Sequence, residues 1–438
     1  MDSVLLGMIG IIFFLLLIAL GVHLSTNFFI VGFLTMLILL GLKPALTLIG
    51  STMYYSIASP SFAALPLYIL LGAVAARGGL AGKAYKFVYI LASKLPGSLA
   101  IATSYGCAFF GAICGSAMAT AAVFGKVALP EMLKYKYDKS LALGTIASSG
   151  TFAAMIPPST ALIVYAFFTD VSIGRLFLAG IIPGFLTATV YSLLIIFRVK
   201  LNPKLAPKVI GEEFSIKDKM KAIKDTWPIV LLIIIVLGGI FSGIFTPTEA
   251  AAVGTLAALI IGIFQRKLNL NVIKESVRDA AQTSSMIFII IIGALFFSRF
   301  VAVSQFADRI AYSIQAWGLR RELVLLGVLV LWFFLGMIIE GTGIRAIVLP
   351  IFFPLIVSMG YDPIWFGILT LKLGEIGAVT PPMATNVFVL KAAVGEGISI
   401  EEIFKGILPF ILCDVIVLIF MVAFPNIVLY LPNLVLGK

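Results

Sequence analysis

The chain has 438 residues, of which 61% are hydrophobic and only 12% charged. Such usage excludes an ordinary soluble domain and points to a polytopic membrane protein. A net charge of +11 would suggest nucleic acid in a soluble protein, but here the basic residues gather in short loops between apolar runs, where they set orientation.

In chain order, apolar runs near the roughly 20 residues that span a bilayer as helix cover residues 4–22, 28–42 and 60–76. Asp2 is the only charge before the first run and no small-residue cleavage site follows it, so this run reads as a membrane helix rather than a signal peptide. A more polar stretch at 77–94 is expected to lie along the interface. Residues 109–120 are small and glycine-rich and lead to Pro130-Glu131-Met132. Their Gly115-Ser116 is a poor helix interior. The segment therefore reads as a re-entrant hairpin, its tip at a depth where irregular backbone needs protein or a wet cavity around it. Tyr137-Asp138, Ser148-Ser149-Gly150-Thr151 and Pro157-Pro158-Ser159-Thr160 follow, with a Pro-Pro that cannot continue a helix.

A helix near 176–198 leads to a basic segment. It holds eight Lys or Arg (Arg198, Lys200, Lys204, Lys208, Lys217, Lys219, Lys221, Lys224) against three acids (Glu212, Glu213, Asp218). That segment is expected in the cytoplasm. After the run 229–245, Thr246 is placed as an N-cap, Pro247 at the first helical position and Glu249 closing a capping box. Runs 250–264 and 280–300 follow, then an interfacial stretch at 306–322, a run at 323–339 and a second glycine-rich hairpin at 335–345 leading to Pro354. A second break carries Gly374-Glu375-Ile376-Gly377, Thr380-Pro381-Pro382 and Thr385-Asn386, and the run 407–422 closes the series.

The two breaks are copies. Tyr137-Asp138, Gly150, Ala154 and Pro157-Pro158 recur as Tyr361-Asp362, Gly374, Ala378 and Pro381-Pro382, each offset by 381 − 157 = 224. Pro130 and Pro354 both precede their Pro-Pro by 27 residues (157 − 130 and 381 − 354). Five crossings separate the copies, so they face opposite ways. Lys134, Lys136 and Lys139 surround the first copy, whereas residues 355–371 hold no Lys or Arg. The fold class is accordingly an all-α polytopic membrane protein built as an inverted repeat, with two re-entrant hairpins and two Pro-Pro-broken helices. Its expected parts are scaffold and arm 1–87, transport half 88–200, basic connecting loop 201–224, scaffold and arm 225–321, and transport half 322–438.

Each break leaves carbonyls unpaired on one half-helix and N–H groups unpaired on the next. Carbonyls with Ser and Thr hydroxyls make a hard oxygen shell for a small cation, while N–H ends favour anions. A hairpin tip facing a break thus supplies one cation site per half. Glu340, Arg345, Lys372 and Glu375 are ionisable at membrane depth, where charge defaults to function. Lys372 and Glu375, three apart, are placed to pair on one helix face. Arg345 either holds a substrate carboxylate bidentately or pairs with Glu340. A channel would also use midplane carbonyls but needs an open pore. An intramembrane hydrolase using Ser149 or Ser116 lacks a base, His23 being the only histidine. Cys107, Cys114 and Cys413 have neither metal nor disulfide spacing, and no Gly-x-x-x-x-Gly-Lys-Ser/Thr loop is present, consistent with gradient-driven transport.

In Gly111-Ala112-Ile113-Cys114-Gly115-Ser116-Ala117-Met118-Ala119-Thr120 with Pro130-Glu131-Met132, in Ile156-Pro157-Pro158-Ser159 with Tyr165, in Pro247-Thr248-Glu249-Ala250, and in Glu375-Ile376-Gly377 with Thr380-Pro381-Pro382 and Asn386, the chain resembles the large membrane (M) subunit of tripartite ATP-independent periplasmic (TRAP) transporters, in the ion-transporter superfamily. It departs from many relatives at Glu340-Gly341-Thr342-Gly343-Ile344-Arg345, where they have no arginine. The resemblance implies no enzyme and no cofactor, but an elevator in which hairpins and broken helices move against a scaffold, with sodium as the coupling ion. It implies a small membrane (Q) subunit, a periplasmic binding protein, an organic acid as substrate, the bacterial or archaeal inner membrane as location, and no nucleic acid. Sodium would be held by Cys114, Gly115, Ser116, Ser149, Gly150, Thr151 and Pro157 in one half. In the other, Gly341, Thr342, Gly343, Gly374, Gly377, Thr380 and Met383 would hold it. Substrate would meet Arg345, Thr342, Ser116, Pro158, Ser159, Thr385 and Asn386.

Overall fold

The computed structural model describes residues 3–58, 60–207, 214–395 and 397–437. Asp2, and Lys208, Glu212 and Glu213 of the basic segment, lie outside the described residues. All regular structure among the described residues is helical. Large apolar side chains such as Ile12, Ile38, Phe197, Leu256 and Leu412 stand exposed on the outside of the bundle. In water such a surface would be a liability, whereas against lipid it is the natural one.

Most expected runs are helices with shifted ends, among them Ser3–Ala19, Leu24–Leu40, Ile173–Leu201, Pro247–Phe264, Leu270–Val303 and Ile400–Ala423. Thr246 and Glu249 form the anticipated capping box, with Glu249 N–H on Thr246 Oγ1 at 3.3 Å and Thr246 N–H on Glu249 Oε2 at 2.8 Å. Both polar stretches before the hairpins are helical: Leu80–Ala92, bent 64° from Ala64–Arg77, and Phe306–Ala316. Three helices were not read from the sequence, one of them Asn426–Leu436 after the last expected run. Leu42–Ala58 precedes a short 3-10 turn, Pro60–Ala63, and Ile216–Asp225 lies in the basic segment taken as a loop.

The duplication reaches well beyond the Pro-Pro copies. Helices starting at Ser3, Leu24, Ala117 and Lys139 recur at Trp227, Pro247, Gly341 and Pro363, with offsets of 227 − 3 = 224, 247 − 24 = 223, 341 − 117 = 224 and 363 − 139 = 224. Contacts obey the same exchange. Ile400–Ala423 packs on Lys139–Phe152, as Ile173–Leu201 packs on Pro363–Gly377. Thr385–Val394 lies on Ala117–Lys134, as Thr160–Thr169 lies on Gly341–Ser358. Each half therefore docks its own broken helix on the other half's hairpin, and the core sits where the four elements cross.

One of these crossings depends on two glycines. A Cβ at Gly406 would stand 2.0 Å from Ser140 O, and one at Gly144 would stand 2.2 Å from Gly406 O. Backbone atoms cannot yield as a flexible side chain can, so Gly406→Ala is expected to cost at least the upper part of the about 1–3 kcal/mol typical of overpacking. Thermal unfolding of the variant in detergent should show a clear drop in midpoint; an unchanged midpoint would refute the contact.

Candidate functional site

The duplicated Tyr-Asp pairs start the broken helices. Asp138 Oδ1 accepts the Leu141 N–H at 2.9 Å, and Asp362 Oδ1 accepts those of Ile364 and Trp365 at 2.8 and 3.0 Å. Each caps a helix start, the role short acids take there. The first broken helix runs Lys139–Phe152, then resumes as Thr160–Thr169; the second runs Pro363–Gly377, then Thr385–Val394. Both Pro-Pro bonds, Pro157-Pro158 and Pro381-Pro382, are cis.

Each hairpin tip grips the break of its own half. Between Ser98–Cys114 and Ala117–Lys134, Gly115 turns the chain at φ 63°, and its carbonyl accepts Thr160 N–H at 3.2 Å and Thr160 Oγ1–H at 3.0 Å. A Cβ there would sit 2.3 Å from Pro158 O, so only glycine fits. Ser116 caps the second arm, accepting the Ala119 N–H at 3.3 Å. Between Arg321–Gly336 and Gly341–Ser358, Met337 O accepts the Met383 N–H at 3.0 Å. The carbon of Gly336 comes within 2.6 Å of a Cβ placed on Gly377.

The breaks differ in access. Residues 151–159, including Pro157, Pro158 and Ser159, are buried, whereas Pro381, Pro382 and Met383 are exposed. Thr385 is half-buried, and Asn386 is buried with its amide Nδ2 3.5 Å from Ala147 O, so the two breaks meet near the centre.

Several expected cation ligands have local hydrogen bonds. Thr151 Oγ1 donates to Ser148 O at 2.6 Å and Thr380 Oγ1 to Ile376 O at 2.6 Å, leaving the lone pairs of both hydroxyls free. Ser149 Oγ shares a hydrogen bond of 3.0 Å with Ser104 Oγ, and Gly150 abuts Ala121 of the hairpin. Ser159 is occupied as the cap of its half-helix, accepting the Leu162 N–H at 3.2 Å. In and beside the two broken helices, the buried oxygens without a partner among the described residues are instead Ser148 Oγ, Asn386 Oδ1 and Glu375 Oε1. Unsatisfied buried oxygens at two helix breaks fit a small hard cation. Ser148 stands beside the expected ligands in sequence, and its missing bond is visible only in three dimensions.

The charged residues of the second hairpin have distinct partners, although Glu340 and Glu375 both act electrostatically on Arg345. Glu340 caps Gly341–Ser358, taking the Thr342 N–H at 2.9 Å and the Thr342 hydroxyl at 3.2 Å, and forms no ion pair with Arg345. Arg345 is only 4% exposed and has neither a hydrogen bond nor an ion pair among the described residues. Its guanidinium lies between the two glycine elements, with Nη1 3.2 Å from a Cβ placed on Gly341 and Nη2 3.9 Å from one on Gly374. Gly343 packs on Leu24 of the second helix.

Lys372 reaches Glu375 at 3.4 Å as anticipated, but its main partner is Asp414 at 2.6 Å. It also donates to Thr187 Oγ1 at 3.2 Å, and the Tyr191 hydroxyl donates to Asp414 Oδ2 at 2.7 Å. The sequence reading missed Asp414, Thr187 and Tyr191. A lone acid inside the apolar run 407–422 was the available signal for Asp414.

Comparison with known proteins agrees with this architecture. Residues 11–427 match the family described as "Tripartite ATP-independent periplasmic transporter, DctM component". The C4-dicarboxylate TRAP transporter large permease protein DctM of Pseudomonas aeruginosa is 34% identical over 373 residues, covering 84% of this chain and 86% of that protein. An isethionate TRAP transporter permease protein DctMQ of Oleidesulfovibrio alaskensis is 33% identical over 378 residues, which span 86% of this chain but 59% of that longer one. Among solved structures, the Alcanivorax borkumensis YdaH transporter superposes with a TM-score of 0.60 at 16% identity, covering 88% of this chain and 90% of its own, a likeness of fold alone. With a family match over nearly its whole length and the paired breaks and hairpins in place, the chain belongs to the DctM component family of tripartite ATP-independent periplasmic transporters.

Proposed function

We propose that the chain is the membrane subunit that carries an organic acid inward across the bacterial or archaeal inner membrane, driven by a sodium gradient. The observation that carries the substrate side is Arg345: a buried, unpaired guanidinium at a hairpin tip beside a helix break. Glu340 and Glu375 act on this guanidinium only at longer range, and a buried guanidinium with no hydrogen-bonded anion is costly, so a ligand carboxylate in its fork completes the site. Thr342, Thr385 and Asn386 lie on the same hairpin and break, and Ser116, Pro158 and Ser159 offer the first half's contribution. Sodium is assigned to the unpartnered oxygens of Ser148 and Asn386, with carbonyls and hydroxyls of Ser149, Thr151, Gly341 and Thr380 around the breaks; the Gly115 carbonyl is taken up by Thr160. Hard neutral oxygens suit that ion.

A sealed first break and an open second one support alternating access, the motion expected of inverted repeats. The hairpins and broken helices form the moving part, and helices such as Ser3–Ala19 and Trp227–Ile233 belong to the scaffold. A small membrane subunit and a periplasmic binding protein complete the transporter; the longer DctMQ relative supports the first of these. A C4-dicarboxylate, sialic acid or another sugar acid is the substrate class. Proteoliposomes holding both membrane subunits should take up one such acid saturably when its binding protein is added outside. Absence of uptake with every acid and its cognate binding protein would reject the assignment.

A further inference from the structure

The helix Ile216–Asp225 is built for a membrane surface. At about 3.6 residues per turn, Ile216, Met220 and Ile223 fall on one narrow stripe. They are 78%, 66% and 57% exposed, so none of the described residues covers them. The stripe continues into Trp227, 49% exposed, where the chain bends 45° into the apolar helix Trp227–Phe241.

The charges are ordered around this stripe. Lys217 and Lys224, both exposed, border it on one side and the half-buried Lys219 on the other, with Lys221 further round. The acids face away: Asp218 interacts electrostatically with Lys221 of its own helix and with Lys86, and Asp225 with Lys83, Lys86 and Lys83 both lying on Leu80–Ala92. Ala222, the buried residue of the helix, lies on that inner side. A capping box between Ser215 and Asp218 fixes the start of the helix.

We infer that Ile216–Asp225 is an interfacial strap that binds the anionic lipid of the cytoplasmic leaflet. Its apolar stripe sinks to the acyl boundary, and Lys217, Lys219 and Lys224 reach outward to lipid phosphates at the same depth. Three features favour a bilayer over a protein partner. Lysines line both edges of the stripe, the stripe continues directly into a spanning helix, and the basic balance of the segment is that of a cytoplasmic loop. The strap also ties the leaflet to the arm that leads into the first hairpin, since it packs on Leu80–Ala92 and Phe214 stacks edge-on against Tyr89 at 5.5 Å.

The test is hydrogen exchange of residues 216–225 in the full chain, held in nanodiscs of phosphatidylcholine alone or mixed with phosphatidylglycerol. Exchange should be roughly tenfold slower with phosphatidylglycerol at low salt, and the difference should vanish in the Lys217→Gln, Lys219→Gln, Lys221→Gln, Lys224→Gln variant. The matching four-fold Lys→Arg variant should retain it. Equal exchange in the two lipids, or a difference that survives removal of the lysines, would overturn the inference. Slowing by soluble glycerol phosphate in phosphatidylcholine discs would also overturn it, because that result assigns a free-anion site.

Discussion

Replacing Arg345 with glutamine is expected to abolish uptake of the organic acid while sodium binding persists. The guanidinium is buried and unpaired, so its five donors are available to a ligand. Losing a charge-assisted bidentate contact removes about 3 kcal/mol, roughly a hundredfold in affinity. Arg345→Lys keeps the charge but loses the planar fork and is expected to fail as well. Uptake in proteoliposomes and sodium titration of the purified variant separate the two ligands. Uptake at the parent level would discard the substrate role. Loss of both activities would mean that Arg345 holds the hairpin rather than the acid.

Asp414→Asn should produce the largest loss of stability. Lys372 and Asp414 are both fully buried, and the lysine would keep only Glu375 at 3.4 Å and the Thr187 hydroxyl at 3.2 Å. Breaking a buried pair by removing one partner costs about 3–5 kcal/mol, because the remaining charge is left in a medium that solvates it poorly. The Tyr191 hydroxyl loses a charged acceptor as well. The second change, Lys372→Met, should restore part of the loss, since it removes the stranded cation. Thermal unfolding of the single and double variants in detergent gives the coupling directly. A single variant as stable as the parent would show that the pair is not a structural lock between Pro363–Gly377 and Ile400–Ala423.

Repetition made the architecture legible in the sequence. Pro157-Pro158 and Pro381-Pro382 announce breaks because proline has no N–H to donate, and their shared offset announces duplication before any helix is placed. Thr246 and Glu249 were readable for a similar reason, since a capping box is a local device written in adjacent residues. The charged cluster was not. Thr187, Tyr191 and Asp414 stand singly on long apolar helices and meet Lys372 only after those helices pack, so spacing along the chain favoured Glu375 as its partner. Glu340 had the same character: close to Arg345 in sequence, its carboxylate makes its hydrogen bonds at the N-terminus of its own helix and acts on Arg345 only at longer range. Ile216–Asp225 was hidden by its lysines, which read as a loop when counted and as an amphipathic helix when placed on a wheel.

The central claim, transport of an acid driven by sodium, is tested most directly by reversing one variable. Proteoliposomes containing the chain and its small partner, supplied with binding protein and labelled acid, are compared with an inward sodium gradient and with equal sodium on both sides. Accumulation of the acid above its external concentration with the gradient, and mere equilibration without it, is the predicted result. Accumulation that ignores the gradient, or an ion current that flows without substrate, would contradict it.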